Sequence, residues 1–589
     1  MDSLRIFDIP YLQKEKFPKE DCLASKVKGT WHKISTGQFI TTAETLAYGF
    51  LDAGINKGDK IASVCSNNRT EWNFVDMATL MTGAIHVPIY PTISDGEYKF
   101  IFTDAEVKYV FVSDEKLYAR IKEIVKDIPG IKNVYTFDEI AGAPHWKELL
   151  AIGEKNPVPE RLESIKRSIN PDELATLIYT SGTTGTPKGV MLSHTNLVSN
   201  VEASTVFVPV GQTGKALSFL PLCHVYERML NYLYQYLGIS IYYAESIDAI
   251  GDNLKEVKPD IFVAVPRVLE KIYDKVLAAG NALTGIKKKL FFWAVNLGVR
   301  FEMNHANGWW YDFQLSIAST LVFTKWREAI GGNLKVIASG SAPLQPRLQR
   351  VFWAAGIPVL EGYGLTETSP VISVNTLNPG GARFGTVGPL IPGVQVKIAD
   401  DGEILCKGPN VMMGYYKRPD LTMEAIDSNG WFHTGDIGVF KDNKFLMITD
   451  RKKELLKTSG GKYVAPQPIE NKMKESPYIS QVMVVGDGRK FTGALIVPNF
   501  HNLEEWCKTN NVPISEHRML IQNDKVHKLY EGERDRLNAG FGHVEQVKRF
   551  ELLPDEWTID SGELTPTLKL KRKVILEKYR FSIEKIYAE

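Results

Sequence analysis

ETLAYGFLDAG (Glu44–Gly54), DKIASVCSNN (Asp59–Asn68), EWNFVDMATLMTGA (Glu71–Ala84), HVPIYP (His86–Pro91) and KYVFVSD (Lys108–Asp114) follow one another as helix, strand, helix, strand and strand. The alternation predicts a doubly wound, mostly parallel α/β sheet. It returns from Ala216 in ALSFLPL, ISIYYAES, DIFVAVP and LKVIASGSAP, which predicts a second sheet of the same kind. From about Gly385 the pattern changes to short, glycine-punctuated strands such as GPLIPGVQVKIADDGEILCKG, the signature of a small antiparallel unit. Beyond Lys453, QVMVVGDG and TGALIVPN alternate with helical segments and end in a basic amphipathic tail. The sequence therefore divides into a large N-terminal domain (1–449), a junction at 450–453 and a smaller α+β C-terminal domain (454–589).

A chain of 589 residues exceeds one compact core and calls for more than one domain. Its 70 lysines and arginines nearly cancel 69 aspartates and glutamates, which leaves no global field for nucleic acid. Cys22, Cys65, Cys223, Cys406 and Cys507 lie far apart without CxxC spacing, so neither a disulfide framework nor a zinc site is expected, and a reducing cytoplasm fits. The first twenty residues interrupt their apolar positions with charges and prolines, unlike a secretory signal. No stretch approaches the roughly 20 uninterrupted apolar residues that span a bilayer. Any contact with a membrane is expected to be peripheral, on its inner face. Residues 281–335 combine IKKKL (Ile286–Leu290) with FFWAVNLGVRF and with Trp309, Trp310, Tyr311 and Phe313. That mixture suits either docking on lipid headgroups or a helical excursion packed on the body with a solvated lysine face.

The densest chemistry lies in YTSGTTGTPKG, Tyr179–Gly189. Its glycines let backbone N–H groups approach anionic oxygens, its hydroxyls donate hydrogen bonds and Lys188 adds a cation, which together make a polyphosphate cradle. A P-loop, GxxxxGK[ST], is excluded at two positions: Pro187 precedes the lysine and Gly189 follows it. A flexible polar turn would not need six consecutive glycine or hydroxyl residues, Ser181–Thr186, before PKG. Downstream stand SGSAP (Ser339–Pro343), GYGLTE (Gly362–Glu367), WFHTGD (Trp431–Asp436), DRKKELLKTSGGKYVAP (Asp450–Pro466) and LTPTLKLKR (Leu564–Arg572). Taken alone, GxGxxE is a failed dinucleotide fingerprint, TGD a surface turn and DRKK a solvated charge run.

In this order the segments resemble the adenylate-forming superfamily of acyl-CoA synthetases, peptide-synthetase adenylation domains and luciferases, from about Thr41 to Arg572. The resemblance implies that Thr180, Ser181, Gly182, Thr183, Thr184, Gly185, Thr186 and Lys188 hold the phosphates of ATP. It further implies that Gly340, Ser341 and Ala342 line the adenine and acyl sites, that Tyr363 and Gly364 receive adenine, and that Thr366 binds the α-phosphate. Glu367 helps hold Mg2+, in keeping with the usual binding of that ion by one carboxylate plus substrate phosphates. Asp436 and Arg451 grip the ribose, Lys453 is the hinge, Ser459, Gly460 and Gly461 face coenzyme A, and Lys569 is the catalytic lysine. Most members carry glycine before that lysine; here Leu568 precedes it, and Lys571 stays open as the alternative.

Residues 430–470 and PLCHVYER (Pro221–Arg228), followed by VPRVLEKIYDKV, are similar to the long-chain fatty-acid–CoA ligase branch, with His224 beside the acyl carboxylate. Cys223 and His224 do not form a nucleophile and base, because adjacent side chains on extended backbone point to opposite sides. The resulting expectation is activation of a fatty acid by ATP through acyl-AMP and transfer to coenzyme A. Two alternatives are a fatty acyl-AMP ligase loading a carrier protein and a non-catalytic, nucleotide-gated lipid-binding protein.

Overall fold

The computed structural model describes residues 4–181, 187–246, 248–565 and 568–588. The chain separates into two compact units: Met1–Ser341 with Pro346–Lys397 and Leu405–His433, and Ala342–Gln345 with Ile398–Ile404 and Thr434–Glu589.

The first unit contains both expected sheets. One has seven strands in the order Gly414–Tyr415, Pro187–Ser193, Leu174–Ser181, Ile85–Ile89, Lys60–Val64, Val107–Val112 and Asn133–Thr136. Its strands are parallel from Leu174–Ser181 to Asn133–Thr136, and antiparallel at the edge carrying Pro187–Ser193 and Gly414–Tyr415. Every residue of Ile85–Ile89 is buried, as a strand covered on both faces requires. The helices between the strands start where short polar side chains cap them: Ser35 accepts from Gln38 N–H and Ser94 from Glu97 N–H. Helices Thr36–Asp52 and Trp146–Lys155 touch backbone to backbone. A β-carbon at Gly49 would lie 2.0 Å from the Leu149 carbonyl oxygen, and one at Gly153 would lie 1.9 Å from that of Thr45.

The second sheet has eight strands: Val371–Val374, Val359–Gly364, Val336–Ser339, Ile261–Ala264, Lys215–Ser218, Ser240–Tyr243, Leu23–Val27 and Thr30–Ile34. The six inner strands are parallel. Leu23–Val27 comes from a segment whose sequence does not announce a strand, since LASKV mixes polar and charged residues with apolar ones; it joins Ser240–Tyr243 in parallel register, Leu23 opposite Ile241.

The glycine-rich stretch after Gly385 gives a four-stranded sheet, Gln395–Ile398, Glu403–Lys407, Phe432–Lys441 and Phe445–Arg451, in which the chain passes from one unit into the other. Among the described residues, the rest of the second unit comprises the hairpin Leu456–Lys457/Tyr463–Val464, a three-stranded sheet of Ile479–Val485, Gly493–Pro498 and Arg549–Leu552, and five helices of seven residues or more. Ile479–Val485 and Gly493–Pro498 are buried throughout and form its core with Leu503, Val526, Tyr530 and Trp557. Among the described residues, no helix is long and apolar enough to cross a membrane.

Candidate active site

In the first unit the two ends of the phosphate-cradle sequence pair with each other as antiparallel strands. Thr180 pairs with Lys188 and Ser181 with Pro187. Lys188 therefore sits on a strand, and the next helix begins only at His194, capped by Ser193. A P-loop runs from strand to helix, so the geometry agrees with the sequence in setting that motif aside. Gly182, Thr183, Thr184, Gly185 and Thr186 lie outside the described residues, as does the side chain of Ser181.

Tyr415, from the neighbouring short strand, connects two of the singled-out residues. Its ring lies under the Lys188 ammonium, Nζ to centroid 5.2 Å, and its hydroxyl donates to Glu367 Oε1 at 2.8 Å. Burial, and then the Glu367 carboxylate, push the Tyr415 phenol well above its ordinary range, so it stays a donor. Met412 N–H donates to the Glu367 carbonyl at 2.9 Å and fixes the backbone there. A cation, a phenol and one carboxylate thus share one edge of the hairpin. The sequence reading did not find Tyr415; nothing in the spacing of Gly414–Tyr416 ties it to Glu367. A single carboxylate of this kind fits Mg2+ bound chiefly through substrate phosphates, and among the described residues no group of three His, Cys, Asp or Glu side chains could hold a metal alone.

GYGLTE spans the end of strand Val359–Gly364 and the short 3-10 turn Thr366–Thr368. Gly364 is required by space: a β-carbon would sit 1.7 Å from the Pro370 carbonyl oxygen. Tyr363 and Thr366 are half-buried on either side of it. Gly340 follows strand Val336–Ser339, with the Tyr226 ring 3.3 Å from where its β-carbon would be. Ser341 holds a left-handed backbone, φ +68°, a strained conformation of the kind that gathers at binding sites.

Tyr226 and His224 open helix Val225–Tyr236. Tyr226 N–H donates to His224 Nδ1 at 3.1 Å, which leaves the proton of the neutral ring on Nε2. The His224 ring meets Tyr90 edge-on at 6.4 Å. Cys223 instead lines a small cavity with Ser63, Cys65, Asn68 and Trp72. Burial raises the Cys223 thiol and pushes that of Cys65 up to about 12, so neither is a ready nucleophile.

Arg228, four residues past His224, is fully buried and was not singled out by sequence reasoning. Its Nη2 donates to Asp76 Oδ1 at 2.5 Å, its Nη1 to Thr176 at 2.6 Å and its Nε to Tyr232 at 2.6 Å. Asp76 also accepts from His86 Nδ1 at 2.6 Å and Tyr232 OH at 2.5 Å, and Ser63 meets His86 Nε2 at 2.8 Å. Burial works to raise the Asp76 pKa, but Arg228, His86 and Tyr232 outweigh it and hold the carboxylate below its usual range. Burial keeps His86 neutral. Although Ser63, His86 and Asp76 stand in the order of a nucleophile, base and acid, Asp76 is already saturated by Arg228 and Tyr232. The cluster is a clamp that fixes the helix carrying His224 and Tyr226. An adjacent Glu–Arg pair within an otherwise uncharged helix was the available sequence signal.

In the second unit Asp436 and Arg451 face each other across the hairpin Phe432–Lys441/Phe445–Arg451, with Nε to Oδ1 at 3.3 Å. The Asp436 side chain is nearly buried and Arg451 is exposed. Asp450 is buried, which pushes its carboxyl up to about 6 against hydrogen bonds from Gln467 N–H and Arg451 N–H. Lys453 lies in an exposed turn between two fastened neighbours: Lys452 is paired with Asp401 and Glu403, and Glu454 accepts from Arg572, which also grips Glu470. Ser459, Gly460 and Gly461 are exposed at the tip of the hairpin Leu456–Lys457/Tyr463–Val464. Lys569 accepts at its carbonyl from Thr565 N–H, and Leu568 N–H donates to Thr565 O, each at 2.8 Å. Lys571 immediately precedes helix Arg572–Lys578, with no capping hydrogen bond from its side chain. Leu568, where the resemblance implies glycine, has φ +61°, the left-handed backbone for which glycine is suited.

The sequence profile of the AMP-binding enzymes matches residues 12–416, and that of the C-terminal domain of AMP-binding enzymes matches residues 453–589. The chain belongs to the AMP-binding enzyme family. Within it, the long-chain-fatty-acid–CoA ligase FadD15 of Mycobacterium bovis is 34% identical over 569 residues, 95% of this chain and 93% of that protein. Fatty acyl-CoA synthetase A of Dictyostelium discoideum is 31% identical over 97% of this chain and 88% of its own. The AMP-binding fold extends to the adenylation domain of a carboxylate reductase from Mycobacterium chelonae, with a TM-score of 0.77 at 22% identity, covering 100% of this chain and 92% of that one.

Proposed function

We propose that this AMP-binding enzyme activates a long-chain fatty acid with ATP to an enzyme-bound acyl-AMP, then transfers the acyl group to coenzyme A with release of AMP and pyrophosphate. The joining of Lys188, Tyr415 and Glu367 beside the hairpin carries the reading, and the relatives named for long-chain fatty-acid–CoA ligation support its acyl half. The attacking carboxylate is already ionised at neutral pH, so the task is to bring two anions together and let pyrophosphate leave. Lys188 and Thr180–Thr186 take the phosphates, Thr366 the α-phosphate, Tyr363 with Gly364 and Gly340–Ala342 the adenine, and Asp436 with Arg451 the ribose. Bound Mg2+, held by Glu367, would neutralise phosphate charge. His224 orients the acyl carboxylate through Nε2–H.

Lys569, on a mobile domain of residues 454–589, supplies the cation of the first step. Lys453 is its pivot, and Ser459–Gly461 face coenzyme A in the second. The fastening of Lys452 and Glu454 on either side supports a pivot at Lys453. The reaction takes place in the cytoplasm, in keeping with five free cysteines, and any membrane contact is peripheral.

Incubation with ATP, magnesium, coenzyme A and a long-chain acid should give AMP, pyrophosphate and acyl-CoA; ADP with inorganic phosphate would overturn the reading. AMP release that needs no coenzyme A but requires a carrier protein would reassign the acceptor. Lys569→Ala should slow single-turnover adenylation about 100- to 1000-fold while still converting supplied acyl-AMP and coenzyme A, and Lys453→Pro should do the reverse. Loss of adenylation in Lys571→Ala but not in Lys569→Ala would move the catalytic role to Lys571.

A further inference from the structure

Helices Gly285–Val299 and Trp309–Ala318 run side by side in opposite directions. Tyr311 OH donates to the Leu297 carbonyl at 2.7 Å, and the Phe291 and Trp326 rings meet at 6.0 Å. Tyr311, Ala318, Val322 and Phe323 form the buried face of the second arm. The opposite face of a solvated helix is ordinarily polar. Here it carries Trp309, 78% exposed, with Trp310, Phe313, Ile317 and Leu321, all exposed. Trp309, Phe313, Ile317 and Leu321 recur every four residues, so they form one stripe about 18 Å long at 1.5 Å per residue. Trp310 and Phe313 stack on each other at 5.6 Å rather than on the body of the protein.

The charge around the stripe is one-sided. Between Thr284 and Glu328 six lysines and arginines stand against three carboxylates. Two of those carboxylates are already paired, Glu302 with Arg350 and Asp312 with His305. Lys287 and Lys289 are exposed beside Ile286, itself 76% exposed, at the end of the hairpin where Leu321 lies. Tryptophan and phenylalanine on a surface helix, flanked by lysines, are the composition of a segment that lies in the headgroup layer of an anionic bilayer. A second protein chain fits less well: one stripe, a single helix wide, offers five anchoring side chains where a standard interface uses roughly 20–30 residues a side.

We propose that this stripe, with Lys287–Lys289, docks the enzyme on the surface of an anionic lipid bilayer, the aromatic rings entering the headgroup layer and the ammonium groups meeting lipid phosphates. The proposal rests on the peripheral contact put forward above and assigns it a surface. It also places the enzyme where long-chain acids, which partition into bilayers, are concentrated.

The test is cosedimentation of the full chain with phosphatidylglycerol–phosphatidylcholine vesicles and with phosphatidylcholine vesicles. Three proteins are compared: wild type, Trp309→Ser/Trp310→Ser/Phe313→Ser, and Lys287→Gln/Lys288→Gln/Lys289→Gln. Turnover of a soluble medium-chain acid serves as the check that each variant is folded. Wild type should bind the anionic vesicles, the aromatic variant should partition at least about tenfold less onto both kinds, and the lysine variant should lose about tenfold or more on the anionic vesicles alone. Undiminished binding by the aromatic variant would overturn this surface while leaving peripheral contact standing, and failure of wild type to bind either vesicle would overturn both. A wild-type dimer that the aromatic variant converts to monomer would show the stripe to be a contact between copies and would overturn the proposal as well.

Discussion

Glu227 and Arg228 are neighbours in one helical turn, both buried, and they meet burial in opposite ways. Arg228 is bound through Nε, Nη1 and Nη2 to Tyr232, Thr176 and Asp76, and the carboxylate it faces is held below its usual range. Glu227 has a hydrogen bond with Ser218, but its Oε2 meets no hydrogen-bond partner among the described residues, and burial pushes its carboxyl up to about 8. The contrast shows what decides the state of a buried ion. Where side chains replace the lost water, the charge persists; where they do not, a proton neutralises it. The first residue is therefore a fixed anchor for the helix that presents His224 and Tyr226, and the second is a titratable group beside it.

The largest effect should come from breaking the anchor. Arg228→Met leaves Asp76 buried without its cation and should cost about 3–5 kcal/mol in denaturant unfolding. Adding Asp76→Leu should restore about 1–3 kcal/mol, since the two sites couple directly. A loss below about 1 kcal/mol for Arg228→Met would remove the distinction between the neighbours.

The next effect depends on pH. Glu227 binds its proton more tightly folded, with a pKa of about 8, than unfolded, near 4.5. Its contribution to stability is therefore complete below about pH 4.5 and is lost as pH rises through about 8, a decline of the order of a few kcal/mol. Glu227→Gln should flatten that slope in unfolding free energy measured across the window. Asp450, pushed up to about 6 from 3.8, gives the second unit a similar but narrower decline, complete by about pH 6 and removed by Asp450→Asn. An unchanged slope in Glu227→Gln would show that its carboxyl finds partners after all. The smallest effect is at the far end of the clamp: Ser63→Ala removes one hydrogen bond to a neutral ring and should cost about 1 kcal/mol, read from the unfolding midpoint.

The fold was largely legible because strand and helix alternate in the sequence with distinct periods, and both sheets of the first unit follow that alternation. Strand Leu23–Val27 was not, since its partner supplies the order that LASKV does not encode. Of the candidate residues, the ordered motifs include Lys188 on its hairpin edge and both members of the Asp436–Arg451 pair. Tyr415 was not legible, because its role comes from pairing with strand Pro187–Ser193, more than two hundred residues earlier. The clamp was hidden for the same reason: Asp76 and Arg228 are 152 residues apart, and only the fold brings them together.

Leu568 holds a backbone conformation that disfavours it by about 1–2 kcal/mol relative to glycine, yet its side chain packs against the core of the second unit. The backbone cost and the packing oppose each other in stability, and both bear on the residue that follows. A leucine packed on the core restricts the backbone leading into Lys569 more than a glycine would. In the catalytic role proposed above for Lys569, such a restriction would be a gain in effective concentration, which a freely jointed glycine tether would dilute. Leucine, where the resemblance implies glycine, exchanges local ease of the backbone for a more restricted approach to Lys569.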